Sequence, residues 1–125
     1  MPDVRNFVRV LDGEHVIGED DRLMSRDTVL LAASTTYTRP GTILGQVTAT
    51  KQFKPLDLAA TDGSQTPTAV LWAGRAKSTG TRRAVVHSRN CRLNGKKLTY
   101  PAGATPSQVT AINDALMTKN VQVGY

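Results

Sequence analysis

Apolar and β-branched runs in this chain are short, and turn residues end each one before a long helix can form. That punctuation limits the open folds more than any motif does. Residues 28–33, 42–45, 68–73 and 83–87 form such runs, separated by Ser34-Thr35-Thr36, Arg39-Pro40-Gly41, Asp62-Gly63 and Gly80. Each reads as a strand, because β-branched and apolar side chains fit a pleated, half-buried surface while Gly, Pro and Asp punctuate it. Alternation over 46–50 predicts that the second strand continues with one wet face, and residues 53–60 form a weaker run interrupted by Pro55. The turn at 77–81 predicts a hairpin between the third and fourth runs. Asn94-Gly95 predicts a second hairpin, from 92–93 to 96–100, since this pair favours the two positive φ angles of a type I′ turn.

One helix signal stands out, and it comes late. Thr105-Pro106-Ser107-Gln108 has the form of a capping box with proline at the first helical position, and Val109, Ile112 and Leu116 then mark one apolar face. The helix is expected to stop near Asn120, with Val121-Gln122-Val123 alternating as a terminal strand. The predicted class is therefore mainly β with one short C-terminal helix. The 125 residues suffice for one domain, 25–125, preceded by an extension, 1–24, whose apolar pairs are too sparse to close a core.

Charge divides along the same line. Residues 1–27 hold seven acids against four arginines, a net −3, whereas the remainder holds 12 bases against three acids, a net +9. An acidic arm on a basic body can answer charge on a partner or on a neighbouring subunit. The +6 total invites a small basic β-rich nucleic-acid-binding module as the alternative function, with Arg82, Arg83, Arg89, Arg92, Lys96 and Lys97 as its patch. Against it, the six aromatic residues do not alternate as stacking platforms, and no helix carries a basic face for the major groove. No apolar run is long enough to span a bilayer, the N-terminus carries charges where a signal peptide needs an apolar stretch, and a single cysteine suits a reducing compartment.

Catalytic and metal chemistry find little to work with, so the chain is expected not to be an enzyme and to need no cofactor. Gly74-Arg75-Ala76-Lys77-Ser78 has the outline of a phosphate loop, but Ala76 stands where glycine should precede the lysine and no long helix follows. His15, His87 and Cys91 have no zinc or nucleophile spacing and read as surface or packed side chains, with Cys91 a buried strand residue. Asp57, Asp62 and Asp114 are too scattered for paired-carboxylate chemistry, and Glu19-Asp20-Asp21 reads as a solvated run or partner contact. Trp72 reads as core or as the anchor of a subunit contact.

Taken in order, Ser25-Arg26, the run Arg39-Pro40-Gly41-Thr42-Ile43-Leu44-Gly45, Thr61-Asp62-Gly63 ahead of Ala69-Val70-Leu71, the basic hairpin, and the late helix with its terminal strand resemble the bacteriophage head decoration family of the lambda protein D type. The resemblance covers roughly residues 25–125. The first 24 residues differ, being charged and acidic in place of a Thr/Pro/Ala-rich arm. The resemblance implies a β-clip-like body that forms a homotrimer, is made in the host cytoplasm, and sits on the outer surface of the phage head at three-fold positions. There it would cement the expanded shell against the pressure of packaged DNA. It implies the major capsid protein as partner, with no direct nucleic-acid or membrane contact, and an arm that adds to a capsid sheet edge. Binding by an extended arm points to Phe7, Val8, Val10, Leu11, Val16 and Ile17 as the capsid-binding residues. Trp72, Arg82, Arg83, Lys96 and Lys97 are expected to serve subunit or capsid contacts.

Overall fold

A computed structural model describes residues 13–19 and 22–124. Among the described residues, eight strands and two α-helices follow in the order β1 (Val16–Glu19), α1 (Arg22–Ser25, a single turn), β2 (Arg26–Leu31), β3 (Ile43–Gln46), β4 (Phe53–Pro55), β5 (Pro67–Leu71), β6 (Arg82–His87), β7 (Cys91–Asn94), α2 (Pro106–Met117) and β8 (Val121–Gly124). The chain is mainly β with a C-terminal helix, as its punctuation implies.

Five strands close into a barrel in the order β2-β4-β3-β5-β6. Its longest seam is antiparallel β2–β6, from Arg26 opposite His87 to Leu31 opposite Arg82. The closing seam is short: parallel β2–β4 pairs Leu31 with Phe53, and the Ala32 N–H donates to the Phe53 carbonyl at 2.8 Å. Leu31, Leu44, Phe53, Ala69, Leu71, Ala84 and Val86 form one buried cluster, with Val29 packed against it. A three-stranded sheet, β1-β7-β8, carries the rest. With α2 it contributes to a second core of Ile43, Leu56, Val70, Cys91, Leu93, Leu98, Ile112, Leu116 and Val121.

The two cores share a wall. Ile43 pairs with Val70 and belongs to the second core, while Leu44 pairs with Ala69 and belongs to the first. Successive strand residues point to opposite faces, so β3 and β5 bury both. This is why they read as continuous apolar runs rather than alternating ones. Close packing also explains Gly45, at the β3–β5 register shift, where an added Cβ would stand 2.7 Å from the Cα of Ser64.

Three expectations change. Strand β3 ends at Gln46, and 48–50 turn back toward β4, with the Lys51 N–H donating to the Val47 carbonyl at 2.8 Å. The β5–β6 hairpin forms, but its connection is an excursion bridged to the β2–β3 loop through Ser34–Ser78 and Thr38–Arg75. The second hairpin does not form. Asn94 is extended (φ −85°, ψ 111°), its side chain accepts the Lys96 N–H, and a 3-10 turn, Gly95–Lys97, follows. Both edges of β7 are taken by distant strands, β1 antiparallel and β8 parallel, which bury Leu93 where a local hairpin would have left one edge free.

Helix α2 bridges β7 and β8, since a parallel pair needs a crossover. Thr105 Oγ1 accepts the Gln108 N–H and Gln108 Oε1 accepts the Thr105 N–H, closing the capping box. Ile112 and Leu116 face the core. Asn120 takes a positive φ of 58°, a position that glycine or asparagine fills after a helix, and turns the chain into β8.

Candidate functional site

The segment 13–19 is fastened to the body by groups that are far apart in sequence. The Gly13 N–H donates to the Trp72 carbonyl at 3.0 Å, and the Asn94 N–H donates to the His15 carbonyl at 2.7 Å. Strand β1 then pairs with β7, Val16 opposite Leu93 and Glu19 opposite Cys91, with a bulge between Val16 and Gly18. Val16 packs against the second core, whereas Ile17 is 55% exposed.

Glu19 ties three elements together. Its carboxylate accepts two bonds from Arg26, Nε to Oε2 at 3.0 Å and Nη2 to Oε1 at 2.7 Å, and a third from His87 Nε2 at 2.6 Å. The Arg26 guanidinium lies over the Trp72 ring, 4.5 Å from its centre, which adds a cation–π contact. Hydrogen bonding from Arg26 holds the Glu19 carboxyl below its ordinary range, with His87 contributing. Because the carboxylate accepts, neutral His87 carries its proton on Nε2.

Behind this bridge lie two fully buried imidazoles. The His15 and His87 rings meet edge to face, with centroids 6.2 Å apart. Neither nitrogen of His15 nor Nδ1 of His87 has a hydrogen-bond partner among the described residues. Burial, reinforced by His87, pushes the His15 pKa down to about 4 against a small opposing pull from Glu14. Burial also lowers that of His87, although Glu19 pulls the other way. Gly41 lies beside the cluster: at φ +84° its backbone favours glycine, and a Cβ there would stand 2.8 Å from the Lys97 carbonyl oxygen while making only ordinary contact with His15.

Burial pushes the Cys91 thiol up to about 12, which keeps it protonated. Among the described residues no three His, Cys, Asp or Glu side chains group to hold a metal ion, and no helix is long and apolar enough to cross a membrane.

The other expected site residues are dispersed. Phe7, Val8, Val10 and Leu11 lie outside the described residues. Trp72 is half-buried beneath Arg26. Arg82 is held by the carbonyls of Ala32 and Ala76, and exposed Arg83 follows it in β6. Lys96 and Lys97 lie in the 3-10 turn after β7, exposed, with Lys97 Nζ 3.5 Å from Glu14 Oε1. The acidic and basic halves thus partly answer each other within one chain. Glu19, read from sequence as part of a solvated run or a partner contact, is an internal bridge. No spacing in the sequence joins it to Arg26, His15 and His87, because a long-range register brings them together.

The sequence model of one family, described as bacteriophage lambda head decoration protein D, matches residues 9–121. The chain belongs to this family. Its class is therefore that of structural proteins of the phage head, which bind the capsid on its outside. No curated protein matches the chain. For this head decoration protein the match begins well before Ser25, so it takes in β1 and the Glu19 bridge along with the barrel.

Proposed function

We propose that the protein binds the outer surface of a phage head as a homotrimer at three-fold positions and cements the expanded shell against the pressure of packaged DNA. The observation that carries this reading is the family match over residues 9–121. Its partner is the major capsid protein. Residues 1–24 supply the arm, with Phe7, Val8, Val10, Leu11, Val16 and Ile17 as its capsid-binding residues; of these Ile17 is exposed on the body.

Extended-arm binding draws affinity from main-chain hydrogen bonds and specificity from alternate side chains, and it costs entropy to order the segment. Each arm is therefore weak alone. Three arms on one trimer convert the later contacts into intramolecular ones and raise avidity without new chemistry. Addition after expansion follows if the arms must reach several capsid subunits at once.

Co-sedimentation with empty shells tests the reading. The full chain should pellet with expanded shells and not with unexpanded ones, and its native mass should be three times that of the chain. Deleting residues 1–12, which spares the Glu19 bridge, should abolish pelleting. Retention by the deleted protein would remove residues 1–12 from the account, and a monomer that fails to bind shells would overturn the proposal.

A further inference from the structure

We propose that residues 13–19 form an acid-released latch, in which neutral His15 and His87 hold the root of the N-terminal segment against the body and let it lift when they take up protons. This goes beyond the capsid reading and does not depend on it.

Two observations carry the inference. First, the imidazole pair is fully buried and poorly supplied with hydrogen-bond acceptors. A protonated imidazole donates from both nitrogens, yet among the described residues His15 has no partner at either, and His87 has one, at Nε2. Charging both rings would also place two cations 6.2 Å apart. Second, the segment can leave without dismantling the rest of the fold. In the order β1-β7-β8 the latch strand lies at the sheet edge, and it takes no part in the barrel. Its lifting breaks the β1–β7 ladder, the bonds to Trp72 and Asn94 and the Glu19 bonds to Arg26 and His87, and it withdraws Val16 and His15 from the body. The barrel seams and the β7–β8 pair remain. Openings of this kind, local to a sheet edge, lie below global unfolding in free energy.

The surrounding charges do not cancel the effect. Glu14 and Glu19, on the latch itself, favour charged imidazoles, but Lys97 faces the first and Arg26 from β2 neutralises the second. Cys91 from β7 is uncharged, and Trp72 and Gly41 bring no formal charge. Because the latched state binds fewer protons, the latch is fully held above the free histidine value of 6.5 and weakens as pH falls toward about 4. For His15 alone the latched-to-open ratio drops roughly 30-fold at pH 5.

Trp72, the one tryptophan of the chain, touches the latch through Gly13 and Arg26 and so reports on it. The free full-length protein is titrated from pH 7.5 to 4.5, following tryptophan emission, far-ultraviolet circular dichroism and amide exchange corrected for the intrinsic rate. The expected result is an emission change centred between pH 4 and 6.5 with unchanged helix signal, and exchange in residues 13–19 rising roughly 30-fold at pH 5 while α2 stays protected. His15→Phe fills the same space without titrating and should move the emission midpoint to lower pH. Emission and helix signal lost together, exchange in 13–19 that does not rise, or a His15→Phe variant that titrates like the parent would each overturn the latch. The exchange measurement on the parent stands even if the variant does not fold.

Discussion

Ile43 and Leu44 are neighbours in β3 and belong to different hydrophobic cores, Ile43 to the one that includes α2 and Leu44 to that of the barrel. The strand is thus a partition with no wet face. Its partner β5 repeats the arrangement, with Val70 on one side and Ala69 and Leu71 on the other. The run Thr42-Ile43-Leu44-Gly45 therefore has a mechanical meaning: it joins barrel and sheet into one cooperative unit.

Truncating either side of the partition should damage the whole. Ile43→Ala and Leu44→Ala are each expected to cost about 2–5 kcal/mol, the range for a large aliphatic side chain deleted from a core. In urea, Trp72 emission and far-ultraviolet circular dichroism should report a single coincident transition for both variants. Two separated transitions would show that the cores fold independently.

Gly45 tolerates no side chain, for want of space. Its missing Cβ would meet Ser64 backbone, which cannot rotate away as a flexible side chain would. Gly45→Ala should lose about 3 kcal/mol, at the upper end for overpacking. Gly18→Ala, where an added Cβ meets nothing within 4 Å, should stay within about 0.5 kcal/mol of the parent. Equal urea midpoints for the two variants would contradict this account.

At the start of α2, Thr105→Ala removes the acceptor for the Gln108 N–H. A loss of about 1 kcal/mol is expected, measured as a lower denaturation midpoint at unchanged slope. An unchanged midpoint would mean that packing of Ile112 and Leu116 alone sets the helix boundary.

Cys91 should be inert in the folded protein. With its thiol pushed up to about 12, the thiolate is roughly one part in ten thousand at pH 8, and burial blocks access as well. Labelling with a thiol-reactive disulfide at pH 8 should be at least ~100-fold slower than in urea. Comparable rates would show that the β1–β7 edge opens freely at that pH.

Asp27 accepts Ser88 Oγ and Arg89 Nη2, each at 2.6 Å, and these bonds hold its carboxyl below the ordinary 3.8. A carboxylate with a depressed folded pKa binds fewer protons than in the unfolded chain. Its stabilising contribution is thus present above the ordinary value and lost as pH falls through the lowered one. Asp27→Asn should flatten the fall in stability below pH 4 while leaving the histidine-linked change above it intact. An unaltered acid slope in denaturation midpoints from pH 5 to 2.5 would exclude Asp27 as a contributor.

Legibility from sequence followed the range of the interaction. The capping box at Thr105 and Gln108, the apolar positions Ile112 and Leu116, and the β2, β5 and β6 strands are local patterns, and they stand close to where the residues place them. Asn94-Gly95 failed for the complementary reason. A strong local turn preference lost to two distant ladders on β7 and to a 3-10 turn that also buries Leu98. The Glu19 bridge was illegible because its parts, His15, Glu19, Arg26, Trp72 and His87, come from four places in the chain and share no spacing.

By itself the sequence determined the class, the helix, the placement of most strands and the resemblance to head decoration proteins, since each rests on periodicity, turn chemistry or motif order within a few residues. Tertiary structure alone decided that β3 and β5 face two cores, that β7 takes β1 and β8 as neighbours, and that His15 and His87 sit buried side by side. Those outcomes depend on which distant surfaces bury the most apolar area together, a sum over the whole chain that no local window contains.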